Sequence, residues 1–208
     1  MANMTSSVSA SQVAGELASA TFEEIPALVE HYREDPRQQV IKACERALKR
    51  HAKELAERER VNDMYELMHE LGGDGVVVGV DEVGRGSVAG PLTVCAVCLP
   101  MEPRVWGIND SKKLTEKKRE ALFDEICEKA LAYRIIFVGP EVIDRENILN
   151  ATMGGMQQAV EELDIVPNLV LVDGNRTPAG LQIPAQPVVK GDATSASIGA
   201  ASVLAKVS

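Results

Sequence analysis

Two adjacent carboxylates, Asp81 and Glu82, follow an apolar, β-branched run over residues 76–80, and a Gly-Arg-Gly turn comes shortly after them. An acid pair of this kind is most often a solvated surface feature, which is the simplest interpretation. A buried strand would instead deliver Asp81 to a sheet end, where open α/β sheets build their sites. Because neighbouring strand residues face opposite sides, one site can use both acids only if the strand bends there. The glycines of the turn permit such a bend, so the pattern indicates a candidate site.

A third carboxylate, Asp173, ends the apolar run over residues 169–172 and precedes Gly174. An ordinary Asp-Gly turn is the alternative interpretation. Carboxylate oxygens gathered without Cys or His are hard ligands, which suit Mg²⁺ or Mn²⁺. Two such ions can activate a water and stabilise the leaving oxygen of an in-line phosphoryl displacement. Asp81, Glu82 and Asp173 are therefore candidate catalytic and metal-binding residues for cutting a phosphodiester backbone.

Gly84, Arg85 and Gly86 place a guanidinium and backbone amides beside the acids. With Gly90 as the next glycine, the spacing does not match GxGxxG, and a strand rather than a helix is predicted to follow. A dinucleotide-binding loop is therefore disfavoured. Contacts to a sugar-phosphate backbone explain the turn better.

Two further segments carry groups that can bind anions. Lys112 stands just before a predicted helix, where backbone amides also face anions. Thr194, Ser195 and Ser197 lie in the segment that opens the last predicted helix. An ordinary helix cap is the alternative for each segment, and for the hydroxyl groups capping and phosphate binding are compatible.

The chain has 208 residues, 45% of them hydrophobic, and a formal net charge of −9. This length predicts one main globular domain with a small appendage. The acidic balance argues against a nucleic-acid partner, but basic residues cluster over residues 37–60 and 112–119, and local patches can bind polyanions. The chain lacks an apolar run near the roughly 20 residues of a membrane helix and lacks a signal-peptide pattern. A cytoplasmic location without a membrane partner is therefore expected.

The four cysteines are expected to be reduced, because a chain of this size and aliphatic content does not need a disulfide framework. Cys95 and Cys98 form a CxxC inside a predicted strand, where residues three apart face opposite sides, so zinc binding is disfavoured. The histidines lie in the predicted N-terminal helices and are interpreted as structural: His31, His51 and His69.

The N-terminal third is predicted to be helical. Residues 1–20 are polar and small and are expected to form a flexible tail, and a helical extension is expected over 21–71. Within the extension, a short helix is predicted over 21–31. Residues 37–71 are predicted to form one long helix, or two with a break near Val61 and Asn62. The glycines that end this region and form a hinge are Gly72, Gly73 and Gly75.

Helix and strand patterns alternate after the hinge. Strands are predicted over 76–80, 92–99, 133–138, 169–172 and 187–189, and helices over 115–132, 141–144, 147–163 and 196–207. The first two strands form a predicted hairpin. The fold class is therefore α/β, with a mixed β-sheet flanked by helices over residues 75–208.

Four segments together resemble bacterial ribonuclease HII: GVDEVGRGSVAGP at 79–91, NDSKKLTEKKRE at 109–120, LVDGN at 171–175 and KGDATSASIGAASVLAKVS at 190–208. Their order and spacing also resemble those of that family, and several agreeing motifs are much more specific than one. The related ribonuclease HIII pattern has Lys at the position of Arg85, which favours ribonuclease HII. The helical extension resembles that of longer bacterial members, where it either aids hybrid binding or serves as a packing appendage.

The resemblance implies a ribonuclease H-like fold and Mg²⁺- or Mn²⁺-dependent cleavage of the RNA strand of RNA-DNA hybrids. It also implies incision at single ribonucleotides embedded in duplex DNA, leaving a 5′-phosphate, and a role in DNA replication and repair. Separately, the chain is expected to be a monomer. Asp81, Glu82 and Asp173 match the metal-binding acids of the family. Gly84–Arg85–Gly86 matches its loop that senses the 2′-hydroxyl, the group that distinguishes RNA from DNA. Lys112 and the hydroxyl groups of residues 194–197 fall where backbone phosphates are expected.

The chain ends inside its last apolar helix, which predicts that the sequence is truncated at Ser208. In the family a fourth metal-binding Asp follows this segment almost at once, and Asp192 matches a different position. The alternative to an active enzyme is therefore a catalytically impaired fragment that acts only as a hybrid-binding module. A protein that binds free nucleotides through the glycine turn is a further alternative.

Overall fold

The computed structural model describes residues 8–86 and 91–208. It divides into two compact units, Met1–Glu59 and Arg60–Ser208, with the boundary inside a long helix. Gly90 and the other residues between Gly86 and Pro91 in the glycine-rich motif lie outside the described residues. None of the helices in the described ranges is both long enough and apolar enough to span a membrane.

The first unit contains helix α1 (Ala10–Ser19), helix α2 (Ile25–His31) and the beginning of helix α3 (Gln38–Gly72). The prediction of a flexible tail over residues 1–20 is wrong for α1. Ser9 and Gln12 form a reciprocal capping box at its start, which satisfies two backbone N–H groups that would otherwise lack partners. Val13 and Leu17 lie one turn apart and are buried in the core of this unit, so the helix has an apolar face that the polar composition hid.

Helix α3 is a single helix of 35 residues. The sequence left open a break near Val61, but no proline or glycine interrupts residues 38–71, and the helix continues without one. Beyond residue 59, one face of α3 contributes apolar side chains to the core of the second unit. The helix ends at the glycines that the sequence indicated, where the N–H of Gly73 donates to the carbonyl of His69 at 2.7 Å.

The second unit is built on a five-stranded mixed sheet in the order β3-β2-β1-β4-β5. The strands are β1 (Val77–Val83), β2 (Leu92–Cys98), β3 (Ala132–Val138), β4 (Leu169–Asp173) and β5 (Ala185–Val188). Strands β1, β2 and β3 are antiparallel neighbours, whereas β4 runs parallel to both β1 and β5. The α/β class and the opening hairpin are thereby confirmed.

Helices cover both faces of this sheet. They are α4 (Glu116–Lys129), α5 (Pro140–Glu161), the short α6 (Gly191–Thr194) and α7 (Ala196–Val207), with a 3-10 turn at Ser111–Lys113. Helices α4 and α7 and the end of α3 share one core with one sheet face, and α5 shares a second core with the other face. The two helices predicted over 141–144 and 147–163 correspond to two segments of α5. They meet at Asn147, which has φ 68° and whose Oδ1 accepts the N–H of Leu149 at 3.0 Å.

All four cysteines are free, as predicted. Cys95 belongs to the core on the α7 side of the sheet, whereas Cys98 belongs to the core on the α5 side. The two thiols of the CxxC therefore lie on opposite faces and cannot share a metal ion. Burial raises the pKa of Cys98 to about 11 and also raises the pKa of Cys95, which keeps both in the unreactive thiol form.

Candidate active site

Asp81 and Asp173 end two neighbouring parallel strands at the same edge of the sheet. Val80 of β1 is in register with Val172 of β4, so the two aspartates are the next residues along strands about 4.8 Å apart. Leu171, two residues before Asp173, packs in the core on the α7 side, and strand alternation places Asp173 on that side too. The charge of each carboxylate is near enough for Asp173 to raise the pKa of Asp81. The structure therefore brings together two of the three predicted acids.

Helix α7 runs along β1 and covers Asp81. The close approach depends on Gly79, where an added Cβ would overlap the backbone nitrogen of Ile198 and the carbonyl carbon of Ser197. Asp81 lies two residues, or about 6.6 Å, beyond Gly79 along the strand, and Ser202 lies four residues, or about 6 Å, beyond Ile198 along the helix. Because Gly79 and Ile198 are in contact, Ser202 is expected near Asp81. Ser202 accordingly lies close enough to Asp81 for its hydroxyl to lower the pKa of that carboxyl group.

Asp81 is a buried carboxylate with only 5% of its surface exposed. Its Oδ1 accepts the backbone N–H of Glu82 at 2.7 Å. Burial raises the pKa of Asp81 well above its usual value, the charges of Asp173 and Glu82 add to this effect, and the nearby hydroxyl of Ser202 opposes it. Within residues 8–86 and 91–208, Asp81 has no salt bridge to a basic side chain, so its charge is not balanced by the protein there.

Glu82 does not share the face of Asp81. The bend that one site would need in order to use both acids is not present in β1, because the strand continues to Val83 and keeps its pairing, with Glu82 opposite Val94 and Val83 opposite Thr93. Val94 packs in the core on the α5 side, which is the face that Glu82 takes by alternation. Burial raises the pKa of Glu82, and a hydrogen bond from Arg85 acts in the opposite direction.

The Gly-Arg-Gly turn begins where β1 ends. Gly84 has φ +108°, and a Cβ there would lie 2.8 Å from the carbonyl oxygen of Pro91, so only glycine fits without strain. Arg85 is half-exposed and its Nη1 lies 3.2 Å from Oε1 of Glu82. No described residue lies within 4 Å of the position that a Cβ on Gly86 would take. The turn therefore presents a fixed guanidinium and an uncovered stretch of backbone next to the acids.

Asp173 is held by the turn that leads into α6. Its Oδ1 accepts the N–H of Gly191 at 2.7 Å and that of Asp192 at 3.4 Å. Lys190, just before them, adopts the left-handed conformation with φ 59° and ψ 37°, which costs a non-glycine residue free energy. The two amides fix the orientation of one carboxylate oxygen, and the chain accepts backbone strain in the same turn.

A second acidic pair, Asp110 and Asp192, lies beside Asp173. Burial raises the pKa of Asp192, and the charges of Asp173 and Asp110 and a hydrogen bond with Asp110 raise it further, while Lys112 opposes them. Lys112 is exposed in the 3-10 turn, and its charge acts on Asp192 from there. Sequence interpretation missed the pair, although both residues stand in the two motifs that contain the candidate anion-binding groups.

The hydroxyl groups of residues 194–197 have different environments. Thr194 is exposed, with its Oγ1 donating to the carbonyl of Lys190 at 3.2 Å. The Ser195 side chain is buried, and among the described residues its hydroxyl has no hydrogen-bond partner. The phosphate contact of Ser197 stays a prediction. Ser197 is fully buried on α7, and its Oγ accepts the N–H of Leu99 at 3.4 Å.

No three acidic, histidine or cysteine side chains converge closely enough to hold a metal ion in the described portion of the chain. The contacts explain this arrangement, because Glu82 is turned toward Arg85 and one oxygen of Asp173 is bound by backbone amides. Asp81 and Asp173 nevertheless lie on adjacent strands and supply oxygen donors only, which is the donor chemistry that Mg²⁺ and Mn²⁺ require. These two carboxylates therefore fit such an ion, and no nitrogen or sulfur ligand is needed.

Two family models match the chain. The model described as ribonuclease HII matches residues 78–208, and the model of the ribonuclease HII N-terminal domain matches residues 9–71. A curated ribonuclease HII from Shewanella sp. (strain MR-7) is 56% identical over 137 residues, covering 64% of this chain and 66% of that protein. The chain thus spans just under two thirds of the length of this relative.

Solved structures give the same result at the level of the fold. The ribonuclease H2 from Pyrococcus horikoshii OT3 superposes with a TM-score of 0.58 at 32% identity, covering 63% of this chain and 70% of that one. The ribonuclease HII in a PCNA complex from Archaeoglobus fulgidus gives a TM-score of 0.52 at 28% identity, covering 64% of this chain and 71% of that one. The mixed sheet and its flanking helices therefore define a protein of the ribonuclease H-like class.

Within that class, the chain belongs to the ribonuclease HII family, because the family model matches more than half of it.

Proposed function

We propose that this chain carries the catalytic centre of a metal-dependent endoribonuclease that cleaves the RNA strand of RNA-DNA hybrids and incises duplex DNA at single embedded ribonucleotides. The observation that carries the proposal is the pair of carboxylates at the ends of adjacent parallel strands in a chain of the ribonuclease HII family. Asp81 is buried without a cationic partner in the described ranges, so a bound cation would balance its charge.

Asp81 and Asp173 would hold Mg²⁺ or Mn²⁺. Glu82 lies on the other face of β1, but its charge acts on Asp81 and the charge of Asp173 acts on it, so it would complete the ligand set if the end of β1 twists locally. When bound, such ions supply Lewis acidity at a phosphodiester and lower the pKa of a water molecule. The chain's own task is to orient the donors, and the amides of Gly191 and Asp192 do this for Asp173. Helix α7 packs on the sheet and thereby excludes bulk water from one side of Asp81.

The residues around the acids would position the nucleic acid. Arg85 and the open backbone at Gly86 lie where a sugar can be contacted, and a 2′-hydroxyl both donates and accepts hydrogen bonds. Lys112 and Thr194 are exposed beside the cluster around Asp173 and would contact backbone phosphates. Ser195 would contribute its hydroxyl only if a ligand or movement uncovers it, since it is buried. Cleavage that leaves a 5′-phosphate follows if the attacking water lies opposite the leaving 3′-oxygen at the scissile phosphate.

We further propose the residue ranges 21–71 for a helical extension and 75–208 for the catalytic domain, with the N-terminal family model over 9–71 as support for the first. Residues 38–53, at the beginning of α3, contain five basic residues and one acidic residue. This part of the helix is therefore electropositive, which suits it to aid hybrid binding.

The test uses duplex DNA with a single ribonucleotide and, separately, a continuous RNA-DNA hybrid. Both are incubated with the 208-residue chain and with a version extended past Ser208 by the corresponding segment of the Shewanella relative. With Mg²⁺ or Mn²⁺, the extended version is expected to cut at the ribonucleotide and leave a 5′-phosphate, identified by mass spectrometry. Asp81→Asn and Asp173→Asn are expected to slow cleavage by at least about 100-fold, because each removes a donor worth several kcal/mol of barrier.

Asp164→Asn is the matched control, since Asp164 is exposed in the loop after α5 and should cut at the unchanged rate. Binding of both substrates without cleavage, with or without metal and equally by Asp81→Asn, would favour the alternative of a hybrid-binding module. Failure to bind either substrate, together with binding of free nucleotides, would favour a nucleotide-binding protein and overturn the proposal.

A further inference from the structure

The two edges of the five-stranded sheet differ in how they are protected. An edge strand presents unpaired backbone N–H and C=O groups, which natural proteins protect with short strands, proline, charged side chains or a covering element. Strand β5, at one edge, has four residues and contains Pro187, which cannot donate a hydrogen bond to a further strand. Strand β3, at the other edge, has seven residues and contains neither proline nor lysine. Because no strand in the described ranges pairs with the outer side of β3, that edge is open.

The side chains of β3 also suit contact with another chain. Tyr133 and Phe137 are 42% and 58% exposed, and strand alternation places both on one face with Ile135 between them. Arg134 is the only charged residue of the strand, and its Nε donates to Oε2 of Glu162 at 2.8 Å, so its charge is already paired. Exposed aromatic side chains beside an open edge are features of an interaction surface rather than of an edge kept apart from other chains.

The sequence of β3 is complementary to itself. If two copies pair antiparallel with Ile135 opposite Ile135 of the second copy, Tyr133 of each copy lies opposite Phe137 of the other. This register forms two cross-strand aromatic pairs on one face, and such pairs stabilise a sheet. A register centred on Arg134 would place two like charges opposite each other, which is unfavourable. A register centred on Ile136 would leave Tyr133 opposite Gly139 and lose both aromatic pairs.

We propose that β3 is a self-association surface, at which two copies of the chain pair antiparallel about Ile135 and join their sheets into one of ten strands. The proposal departs from the monomer expected from the sequence, and it does not depend on the proposed nuclease activity. A single strand pair is smaller than the interface of a permanent dimer, so association is expected at micromolar rather than nanomolar concentrations.

The proposed two-fold axis also fixes where the two candidate sites would lie. Asp81, Cys95 and Ile135 form one row across the sheet, because Asp81 is in register with Cys95 and Cys95 with Ile135. The axis is perpendicular to the joined sheet, so both copies of Asp81 would face the same side. Five strand spacings separate them, which corresponds to about 24 Å.

Analytical ultracentrifugation of the 208-residue chain tests the proposal. As the concentration rises through the micromolar range, the mass should rise from 22.4 kDa toward twice that value. Tyr133→Lys and Phe137→Glu should each weaken self-association by about 10-fold, because by symmetry each change removes both aromatic pairs. The double variant should regain most of that loss, since the register then places a lysine opposite a glutamate at both positions. Val166→Lys is the matched control and should associate like the wild type, because Val166 is an apolar side chain, 82% exposed, in the segment before β4.

Amide hydrogen exchange of the wild type locates the contact without any substitution. Peptides that cover β3 should exchange more slowly at high than at low protein concentration, whereas peptides that cover β5 should not change. A chain that stays monomeric throughout this range overturns the proposal and leaves the open edge to a strand of another protein. A dimer without added protection of β3 also overturns it. Among variants shown by circular dichroism to be folded, full association of both single variants, or failure of the double variant to recover, would refute the surface or its register.

Discussion

The turn after Asp81 and Glu82 shows how two nearby glycines can have different tasks. Gly84 has φ +108° and closely approaches Pro91, whereas no residue in the described ranges lies within 4 Å of the Cβ position of Gly86. The first is required by the backbone conformation. The second, if the proposed contact with a ribose is right, is required by the approach of a ligand.

We predict that Gly84→Ala destabilises the protein by about 1–3 kcal/mol, because the new Cβ strains a left-handed backbone and meets the carbonyl of Pro91. Gly86→Ala should change the free energy of unfolding by less than about 0.5 kcal/mol. Urea denaturation measures both values. The cleavage assay on a single ribonucleotide should show a loss for Gly86→Ala at full stability. An equally destabilised Gly86→Ala would contradict this division of tasks.

At the scale of secondary-structure elements, the site depends on how closely α7 lies against β1. Gly79 makes that approach possible, since a side chain there would overlap the backbone of Ser197 and Ile198. The same contact sets the register that puts Ser202 over Asp81. The helix therefore serves both as a core element and as the wall of the candidate site.

We predict that Gly79→Ala lowers the free energy of unfolding by about 3 kcal/mol or more, because the overlap is with backbone atoms that cannot rotate away. Gly154→Ala is the matched control. Gly154 lies inside α5 and its Cβ would meet nothing within 4 Å, so alanine should stabilise the protein by up to about 1 kcal/mol through its helix propensity. Thermal and urea unfolding of the two variants check the pair, and similar effects of both would refute the packing argument.

Tyr65 connects α3 with the segment before the 3-10 turn. It is fully buried, and its hydroxyl accepts the N–H of Val105 at 2.9 Å. Tyr65→Phe is predicted to destabilise the protein by about 1–3 kcal/mol, because a buried N–H loses its acceptor. Burial raises the pKa of Tyr65 to about 12, so the neutral form is favoured in the folded state.

The sign of the resulting pH dependence follows from linkage. The contribution of neutral Tyr65 is fully present below the unfolded pKa of about 10 and is lost as the pH rises through the folded value of about 12. Denaturation curves between these pH values should show a smaller decline for Tyr65→Phe than for the wild type. An identical decline in both proteins would assign the alkaline transition to another group.

At the scale of the whole molecule, a chain with a net charge of −9 is proposed to bind a polyanion. Binding must then depend on local positive charge and on cations that offset the carboxylates. Lys112 is the exposed base whose charge acts on the cluster around Asp173 and Asp192. Lys113 follows it and is also exposed, but among the described residues the charge of Lys113 does not lower the pKa of Asp192.

We predict that Lys112→Ala weakens binding of hybrid and of ribonucleotide-containing duplex alike, because a phosphate contact carries no sequence information. The slope of log affinity against log salt should fall by about 1. Fluorescence anisotropy over a range of salt concentrations measures both quantities. Lys113→Ala is the control and should change the slope less. Equal slopes for the wild type and Lys112→Ala would remove Lys112 from the proposed interface.

The sequence alone determined much of this protein, because the decisive signals are local. Apolar runs of strand length predicted β1, β2 and β4, and the acids at their ends pointed to Asp81 and Asp173. Helical periodicity predicted α3, α4 and α7, and the combination of motifs predicted the ribonuclease HII family. Each of these depends on neighbouring residues in one segment, where period and residue type carry the information.

Only the tertiary structure decided which groups meet. It separated Glu82 from the face of Asp81, because β1 stays regular where a bend was expected. It buried Ser197 and gave α1 an apolar partner that its polar sequence did not suggest. It also joined Ser111 to Ser202 across 91 residues, beside Asp81. Such contacts follow from the docking of α7 on β1 and from strand register, and neither is written in the pattern of any single segment.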